Sequence, residues 1–572
     1  MKVMLFYPPV GNICQPYLST PTLVAYLQEK GVEDVSQYDL NIDCAEELLS
    51  PERLRRAHRW CTHFLQKSQG AWSSSPLDQA KVQFAIGAAL NGPKVIHEIT
   101  RAKSILRGQE FYDEALYSDA MQTILLAYVV LSARYFPTIV SHQSFSMRYR
   151  CDRSGEILSA IHDQQENPFI DLLARKLEDI FREDGVPDVA GISIGYYEQL
   201  IPGLTLASLI KRVSPRTHVT VGGTMMSALH GKNFDPRFFS ILDSILFFEG
   251  EKPFLGLLKA LENGGDVGQV PNLIVSRNGK VITTPVEPAA AEADSLPTPD
   301  FDGLPIDRYL SPEPILPLAS SRGCYWRQCT FCTRQHLLDT YRKRSVHKVL
   351  QDLQTLQSRY GCQAFFFVDE CISPAMLGAL ADEILEKKIH ISWSCYVRFE
   401  KQFMDKGFCR KLAQSGLRML YFGLESACQR ILDLMKKGTE KETVQRILES
   451  TSQAGIMSMI LYFVGFPTET REEALESMEF ILRNQDHIRY ALAGQFMLEE
   501  HSPIFRHPES FGIREITPLS DTSDLGIIYN YQTVNGMSAH EAETVKEFVN
   551  SKTSHLHKFE FLNRAHLLLR ER

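Results

Sequence analysis

Short apolar runs alternate with helical patterns in two parts of the chain. Near the N-terminus, a strand-like run at Val3–Tyr7 precedes a helical pattern at 21–30 and a second strand-like run at 35–42. Strand-like runs recur at 189–195, 218–221 and 241–248, with helical patterns at 204–213 and 251–261. Strands that alternate with helices predict a parallel sheet that binds ligands at the carboxyl ends of its strands.

Residues 46–180 follow a different pattern. Apolar residues recur there at helical spacing, for example at Ala85, Ala88 and Ala89 and again at Met121 and Leu125. Strand-like runs are scarce, and no motif in this stretch indicates chemistry. We expect a helical insertion within the first domain.

A second alternating series begins at residue 315. Its strand candidates are 315–319, 364–368, 390–393, 419–423, 459–464 and 495–498. Six βα units predict a partial barrel whose chemistry lies at the carboxyl ends of the strands. The fold class is therefore α/β: a Rossmann-like domain with a helical insertion, a partial (β/α)6 barrel, and a mixed C-terminal region.

A stretch rich in Pro, Ala and Asp, 285–305, lies between the two series and has the composition of a connection between domains. The predicted boundaries place the first domain at 1–262 and a linker at 263–312. They place the barrel at 313–501 and a capping region at 502–572.

Composition and charge exclude some classes of partner. The chain has 572 residues and a net charge of −8, with no block of like charges that would indicate a nucleic-acid surface. The N-terminus lacks the features of a signal peptide, and the longest apolar run, at 124–131, is too short to cross a bilayer. We expect a cytoplasmic protein with no membrane partner, whose twelve cysteines are reduced thiols or metal ligands.

Three cysteines differ from the other nine in their spacing. Cys324, Cys329 and Cys332 follow the first strand of the barrel and can reach one soft metal centre. A disulfide would leave one of them over, and a zinc site would need a fourth ligand, for which His336 is nearby. An iron–sulfur cube held by three cysteines instead leaves one iron open to a substrate or cofactor.

The sequence from Ser320 to Cys332, with its Ser-Arg-Gly start and with Phe331 beside the last cysteine, resembles the cluster motif of the radical S-adenosylmethionine (SAM) enzymes. The common spacing in that family is C-x3-C-x2-C, whereas this chain has C-x4-C-x2-C. The resemblance implies a [4Fe–4S] cluster on Cys324, Cys329 and Cys332 whose open iron binds the amino and carboxylate groups of SAM.

Residues at the later strand ends extend this resemblance to a SAM pocket. Acidic residues near the SAM amino group, a cation at its carboxylate, a carboxylate on the ribose hydroxyls and a glycine–proline turn by the adenine are implied. The corresponding positions are Asp369, Glu370, Arg398, Gly423, Glu425, Gly465 and Pro467.

The first domain resembles the cobalamin-binding domain that precedes the barrel in one subclass of these enzymes. The resemblance rests on loops that follow its strands, and it implies cobalamin contacts at Pro8, Pro9, Ser193, Gly195, Gly222, Gly223, Thr224, Glu249, Gly250 and Glu251. The Asp-x-His-x-x-Gly motif that supplies a histidine to cobalt in other cobalamin proteins is absent. The alternative is a doubly wound domain that binds nothing.

Together the two resemblances imply a cobalamin-dependent radical SAM methyltransferase that acts on an unactivated carbon in natural-product or modified-peptide biosynthesis. One alternative is ring formation or rearrangement with the same cofactors and no net methyl transfer. Others are a cobalamin-binding or redox-sensing module without turnover and a zinc-binding interaction protein. We expect a monomer, a small-molecule or peptide substrate, and a one-electron donor such as flavodoxin or ferredoxin.

Overall fold

The structure, a computed structural model, describes residues 1–67, 75–288, 293–334, 340–556 and 563–570. It divides the chain into two units. The first comprises Met1–Ala289 and Pro297–Pro314, and the second comprises Ala290–Leu296 and Ile315–Arg572.

A seven-stranded sheet forms the centre of the first unit, in the order β2-β1-β5-β6-β7-β8-β9. The first five of these strands run parallel, and the last two pair antiparallel. The strands are β1 (Val3–Tyr7), β2 (Val35–Asp39), β5 (Val189–Ser193), β6 (His218–Gly222), β7 (Ser244–Leu246), β8 (Leu273–Arg277) and β9 (Lys280–Thr283). A separate hairpin is formed by β3 (Ile139–Val140) and β4 (Phe145–Ser146).

β1 is buried along its whole length, which explains its continuous apolar sequence. Val3 and Leu5 belong to one core cluster with Leu27 and Phe254 from the covering helices. The chain passes from β1 to β2 on one side and later places β5 on the other side of β1. This reversal of strand order is where ligands bind in open parallel sheets, at the carboxyl ends of the strands.

Helices dominate residues 46–180, as the sequence predicts. The helices of the first unit are Ser19–Glu29, Leu40–Leu48, Pro51–Lys67, Pro76–Arg107, Glu114–Tyr135, Ser154–Ala160, Phe169–Glu183, Leu200–Val213, Thr224–Ala228 and Glu251–Glu262. Among the described residues one helix, Glu114–Tyr135, is long and apolar enough by composition to cross a membrane, and 56% of its most apolar window is buried within the protein.

Part of the stretch that the sequence suggests as a linker is regular structure. β8 and β9 lie within 263–312 and extend the sheet with an antiparallel edge hairpin. Apolar residues explain the pairing, because Leu273 and Val275 of β8 enter the same core cluster as Val3. Composition alone did not indicate this, since the flanking Pro- and Ala-rich residues obscure a short strand.

A six-stranded parallel sheet forms the second unit, in the order β10-β13-β14-β15-β16-β17. Its strands are β10 (Ile315–Leu318), β13 (Ala364–Phe367), β14 (Ser392–Val397), β15 (Leu417–Glu425), β16 (Met457–Val464) and β17 (Tyr490–Gln495). Helices of this unit are Val346–Tyr360, Pro374–Glu386, Lys406–Gln414, Gln429–Leu434, Lys441–Gln453, Arg471–Arg483, Pro503–Arg506, Ala539–Lys552 and Arg564–Arg570. The predicted partial barrel of six βα units is therefore confirmed.

Two of its strands lie elsewhere than the sequence suggested. The third runs to Val397 rather than ending at Trp393, because Cys395 and Val397 continue the buried outer face. The sixth is Tyr490–Gln495 instead of 495–498. Its small residues gave a weak strand signal, and the more apolar residues that follow lead into another sheet.

That other sheet has the order β18-β20-β19 and is antiparallel. Its strands are β18 (Leu498–Glu499), β19 (Ile513–Pro518) and β20 (Ile528–Thr533). A short hairpin of β11 (Ser321–Arg322) and β12 (Arg342–Lys343) follows β10. The C-terminal helix Arg564–Arg570 places Leu567 in a core cluster with Met419, Tyr421 and Met459 of the barrel.

Candidate functional site

The cysteine loop begins at a buried carboxylate. Asp369, directly after β13, accepts hydrogen bonds from the backbone N–H of Ser320 at 2.9 Å and from the hydroxyl of Ser321 at 2.6 Å. Burial raises the pKa of Asp369, and these donors act in the opposite direction. In this structure Asp369 therefore holds the start of the loop, whereas the sequence suggested it for the SAM amino group.

The rest of the loop is fastened to the segment that follows Leu434. The Thr330 N–H donates to the Met435 carbonyl at 2.9 Å, and the Trp326 indole N–H donates to the Lys436 carbonyl at 2.8 Å. The Cys332 N–H donates to the Cys329 carbonyl at 3.3 Å. These bonds hold all three cysteines in one ordered loop at the carboxyl end of β10.

The three thiols differ in their surroundings. A hydrogen bond from the Cys371 thiol lowers the pKa of Cys324 to about 6. Burial raises the pKa of Cys329 and raises that of Cys332 to about 11. The sequence grouped Cys371 with packing residues, and its distance along the chain from the motif gave no signal of this contact.

Among the described residues no three His, Cys, Asp or Glu side chains are gathered as the ligands of a single metal ion would be. His336, the fourth ligand in the zinc interpretation, lies outside the described residues. A four-iron cluster is larger than one ion and takes its thiolates from positions farther apart.

Arg398 is a buried cation, 4% exposed, at the end of β14. Its Nε donates to Glu400 at 3.1 Å, its Nη2 donates to the Lys437 carbonyl, and its guanidinium lies 3.9 Å from the ring centre of Trp326. Its Nη1 is buried and has no hydrogen-bond partner among the described residues. A buried donor of this kind calls for an acceptor, and the carboxylate of SAM supplies that chemistry.

Glu425 ends β15 with a positive φ of 65°. It lies near the cysteine loop, since the raised pKa of Cys329 is due to burial and, to a smaller extent, to the charge of Glu425. One carboxylate oxygen, Oε1, accepts from the buried Lys437 ammonium at 2.7 Å. A Cβ built on Gly423 would lie 2.6 Å from that oxygen, so only glycine leaves the space open. The second carboxylate oxygen is left for hydroxyl donors, which fits the ribose role that the resemblance implies.

The Gly465 turn follows β16. Gly465 has a φ of +84°, its N–H donates to the Glu469 carboxylate, and its carbonyl accepts from the Tyr531 hydroxyl at 3.1 Å. Burial raises the pKa of Glu469 to about 8. Pro467 lies in the same turn. The hydrogen bonds of Gly465 to Glu469 and to Tyr531 hold this turn in one conformation.

Glu370, another predicted SAM contact, forms an ion pair with an arginine. Its Oε2 lies 3.3 Å from Nε of Arg334, just beyond the last cysteine.

Two further residues link Arg398 and Glu425 to the cysteine loop. They are Trp326, which lies against Arg398, and Lys437, which donates to Glu425. The sequence predicted no role for Trp326 or Lys437, although both lie in stretches that resemble the family.

In the first unit, the predicted cobalamin loops follow β1, β5, β6 and β7 at one edge of the sheet. Gln199 joins two of them: its Nε2 donates to the Pro8 carbonyl at 3.0 Å, and its Oε1 accepts from the Gly195 N–H at 2.9 Å. The Ile194 N–H donates to the Gly222 carbonyl at 2.8 Å. Ser193 thus lies between two connected loops at the switch point.

Two buried oxygens near these loops have no hydrogen-bond partner among the described residues. They are Oε1 of Gln15, in the segment between β1 and the first helix, and Oγ of Ser19, the first residue of that helix. Buried polar atoms without partners are rare in folded proteins. The sequence gave no signal of them, since the segment carries no motif.

Comparison with known proteins matches part of the chain to a known family. Residues 318–481 match the model of the radical SAM superfamily. An uncharacterised methyltransferase of Pyrococcus horikoshii is 27% identical over 350 residues, which are 59% of this chain and 74% of that protein. The anaerobic magnesium-protoporphyrin IX monomethyl ester cyclase of Rubrivivax gelatinosus is 26% identical over 54% of this chain and 57% of its own length.

Two solved structures share the fold over almost the whole chain. The cobalamin-dependent SAM radical enzyme OxsB with aqua-cobalamin bound has a TM-score of 0.59 at 15% identity, over 96% of this chain and 66% of that one. The radical SAM methyltransferase TsrM from Kitasatospora setae, with cobalamin and a [4Fe–4S] cluster bound, has a TM-score of 0.54 at 13% identity, over 95% and 85%. Residues 318–481 therefore match the radical SAM superfamily, and almost the whole chain has the fold of two solved cobalamin-binding radical SAM enzymes.

Proposed function

We propose that this protein is a cobalamin-dependent radical SAM methyltransferase that methylates an unactivated carbon. The observation that carries the proposal is the unpartnered, buried Nη1 of Arg398 beside the loop of Cys324, Cys329 and Cys332. A cation held ready at the edge of a three-cysteine loop matches the carboxylate of a cofactor that binds to an open iron.

Each group of residues has a distinct task. Cys324, Cys329 and Cys332 would hold a [4Fe–4S] cluster, and the short loop leaves one iron without a protein ligand. Arg398 would bind the SAM carboxylate, Glu425 the ribose hydroxyls, and the Gly465–Pro467 turn the adenine. When bound and reduced, the cluster supplies the electron that cleaves SAM to methionine and a 5′-deoxyadenosyl radical, and cobalamin supplies a carrier for a methyl group.

The first unit offers a fitting surface for cobalamin. Its ligand edge lies at the switch point between β1 and β5, where open parallel sheets bind cofactors. The buried oxygens of Gln15 and Ser19 would accept hydrogen bonds from amide groups at the rim of the corrin ring. The loops at Pro8, Gly195, Gly222 and Glu249 would surround it without a histidine ligand.

The test follows SAM in its two roles. With the true substrate, each turnover should give one 5′-deoxyadenosine and one S-adenosylhomocysteine, and SAM labelled at its methyl group should pass the label to a carbon of the product. Mass spectrometry of the product checks this. Formation of 5′-deoxyadenosine with substrate consumption but without label in the product would refute the methyltransferase assignment.

A second enzymatic function keeps the same cofactors but forms or rearranges a ring. The named activity of the Rubrivivax gelatinosus cyclase favours it, because that protein is also related to this chain. An unlabelled product with the mass change of ring formation would support this function. SAM cleavage by the reduced protein would exclude a sensor without turnover.

The remaining features of the proposal concern its surroundings. We infer a small-molecule or peptide substrate, a flavodoxin or ferredoxin as electron donor, a monomeric state and a cytoplasmic location. The net charge of −8 and the absence of a block of like charges agree with a protein that does not bind nucleic acid.

A further inference from the structure

Part of the inner face of the barrel sheet is exposed to water. Strand residues alternate between two faces, and those that face outward, such as Phe367, Cys395 and Ile460, are fully buried under helices. On the inward face the burial is uneven: Val368 is 37% exposed and Leu461 is partly buried, whereas Tyr421 is 3% exposed and Met419 and Met459 are 0% exposed. A folded sheet with apolar residues open on one face leaves space for an apolar ligand.

One arginine projects onto this inner face from the C-terminal helix. Arg564 is exposed, and its guanidinium lies 5.0 Å from the ring centre of Tyr490 and 6.0 Å from that of Tyr421. Leu567, one turn later, anchors the helix among Met419 and Met459. Among the described residues no carboxylate pairs with Arg564.

Three tyrosines lie near this cation. The rings of Tyr396 and Tyr421, on neighbouring strands, lie 4.7 Å apart between centres and are tilted by 31°, and Tyr490 begins the sixth strand. None of the three hydroxyls makes a hydrogen bond to a described residue, although Tyr421 is only 3% exposed. Burial raises the pKa of Tyr396, and the Arg564 charge acts in the opposite direction, as it does at Tyr421.

Tyr396 and Tyr421 lie nearer the N-terminal ends of the barrel strands than Arg398 and Glu425, the residues proposed to bind SAM. Tyr396 precedes Arg398 by two positions on β14, and Tyr421 precedes Glu425 by four on β15. At about 3.3 Å of rise per residue, the tyrosines lie about 7–13 Å below those two side chains. The arginine is thus a different cation from the one assigned to the SAM carboxylate, and it has no acceptor among the residues that the structure describes.

We propose that Tyr396, Tyr421, Tyr490 and Arg564, here called the tyrosine–arginine pocket, bind an oxyanion of the substrate, a carboxylate or a phosphoryl group, next to an aromatic or apolar body. The assignment rests on the proposed function, in which the barrel holds the substrate. The guanidinium offers two parallel N–H donors to the oxyanion, the hydroxyls add further donors, and the tyrosine rings cover the apolar body.

The experiment measures binding of small probes to the full-length protein without added cofactors. Benzoate and phenyl phosphate represent the two oxyanions, and benzamide is their neutral counterpart. Calorimetry or ligand-observed NMR gives the affinities for the wild type, Arg564→Gln and Tyr421→Phe. Arg446→Gln, which removes an exposed arginine from helix Lys441–Gln453, is the matched control.

We expect at least one anionic probe to bind the wild type and the control equally. Arg564→Gln should weaken it by about 10- to 100-fold, the loss expected when a hydrogen bond to a charged group is removed. Tyr421→Phe should weaken it less, and benzamide should not distinguish arginine from glutamine at 564. The stronger of the two anionic probes identifies the oxyanion.

The proposal is wrong if neither anion binds the wild type, or if both bind Arg564→Gln as well as they bind the control. Circular dichroism of each variant checks that the fold is kept, and Tyr421→Phe provides an independent arm if Arg564→Gln is unstable. Because no SAM or cobalamin is present, failure here leaves the tests of the proposed function untouched.

Discussion

Arg398 illustrates how one side chain is prepared for a ligand. Trp326 covers one face of its guanidinium, and Glu400 and the Lys437 carbonyl take two of its nitrogens. A cation over an indole face gains about 0.5–2 kcal/mol, which favours one orientation of a long side chain. The remaining nitrogen, Nη1, is thereby held in place before a ligand binds. Binding then avoids the entropy loss that a mobile arginine side chain would suffer.

At the same scale, the three cysteines give the first prediction. Cys324→Ala, Cys329→Ala and Cys332→Ala should each lower bound iron well below about four per protein and abolish SAM cleavage, since a cube with two protein ligands is poorly held. Iron and sulfide analysis with detection of 5′-deoxyadenosine measures both. Cys409→Ala is the control, because that buried thiol only donates to the Phe403 carbonyl. Normal cleavage by all three variants would contradict the ligand assignment.

Glu425 gives the second prediction. Glu425→Gln should weaken SAM binding by about 10- to 100-fold while the absorption of the cluster stays unchanged, because a hydrogen bond to a charged acceptor contributes about 1.5–3 kcal/mol. Calorimetry of the reconstituted protein measures it. Glu479→Gln, on the exposed side of helix Arg471–Arg483, is the control. Equal SAM affinity in both variants would remove Glu425 from the ribose site.

Residue roles were predictable only where a motif marked them. The cysteine spacing and the strand-end positions of Arg398 and Glu425 could be read along the chain. The direction in which a strand-end acid points could not be read in this way. Asp369 faces the start of the cysteine loop and accepts hydrogen bonds there, which depends on the folded strand β13 before it. Trp326 and Lys437 depend on contacts more than 100 and about 40 residues apart in sequence, which no local pattern reports.

At the scale of elements, the Gly465 turn connects β16 to helix Arg471–Arg483. Thr470 and Glu473 form a capping box at the start of that helix. Glu469, 0% exposed, bonds back to the Gly465 N–H, and its other oxygen has no partner among the described residues. An ionised carboxylate in this position would lose solvation without full compensation, so the protonated form is favoured.

The third prediction concerns pH and this turn. Burial raises the pKa of Glu469 from its ordinary value of 4.5 to about 8. The folded protein therefore binds this proton more tightly than the unfolded chain, and its contribution to the free energy of unfolding is complete below pH 4.5 and is lost as the pH rises to about 8. Glu469→Gln, which cannot ionise, should lose less stability over that range. Urea unfolding at several pH values measures the difference; parallel curves for the two proteins would contradict it.

Elements followed the sequence wherever an apolar run matched a strand buried on both faces. β1 is of this kind and lies where it was predicted. β13 and β16 also hold to within two residues, although each has partly exposed residues on one face. β17 departs from the expectation because Ala491, Ala493 and Gly494 carry little strand propensity. Pairing with β16 overrides that propensity, and pairing is a property of the folded sheet and not of the segment.

At the scale of the whole molecule, the order of strands in the first unit supports the fourth prediction. The loops at its switch point bring no histidine from an Asp-x-His-x-x-Gly motif, so we expect cobalamin to bind without a protein histidine on cobalt. Electron paramagnetic resonance of the cob(II)alamin form tests this. Hyperfine splitting from a histidine nitrogen, shown by loss on ¹⁵N-histidine labelling, would contradict the expectation, and failure to bind cobalamin would remove the role of the first unit.

The division of the chain has a practical consequence for the design of fragments. The polypeptide enters the second unit at 290–296, returns to the first at 297–314 and enters the second again at 315. Within the second unit, the Leu296 carbonyl accepts from the buried Arg344 guanidinium at 2.9 Å, and the Asp294 carboxylate accepts from the Ser345 N–H at 2.7 Å. A gene fragment that starts at Ile315 would lack the Leu296 carbonyl, so this N–H group of Arg344 would stay buried without that acceptor. The loss would lower the free energy of unfolding by about 1–3 kcal/mol. A soluble radical SAM fragment should therefore begin before Asp294, and the two units cannot be exchanged between relatives as if a single hinge joined them.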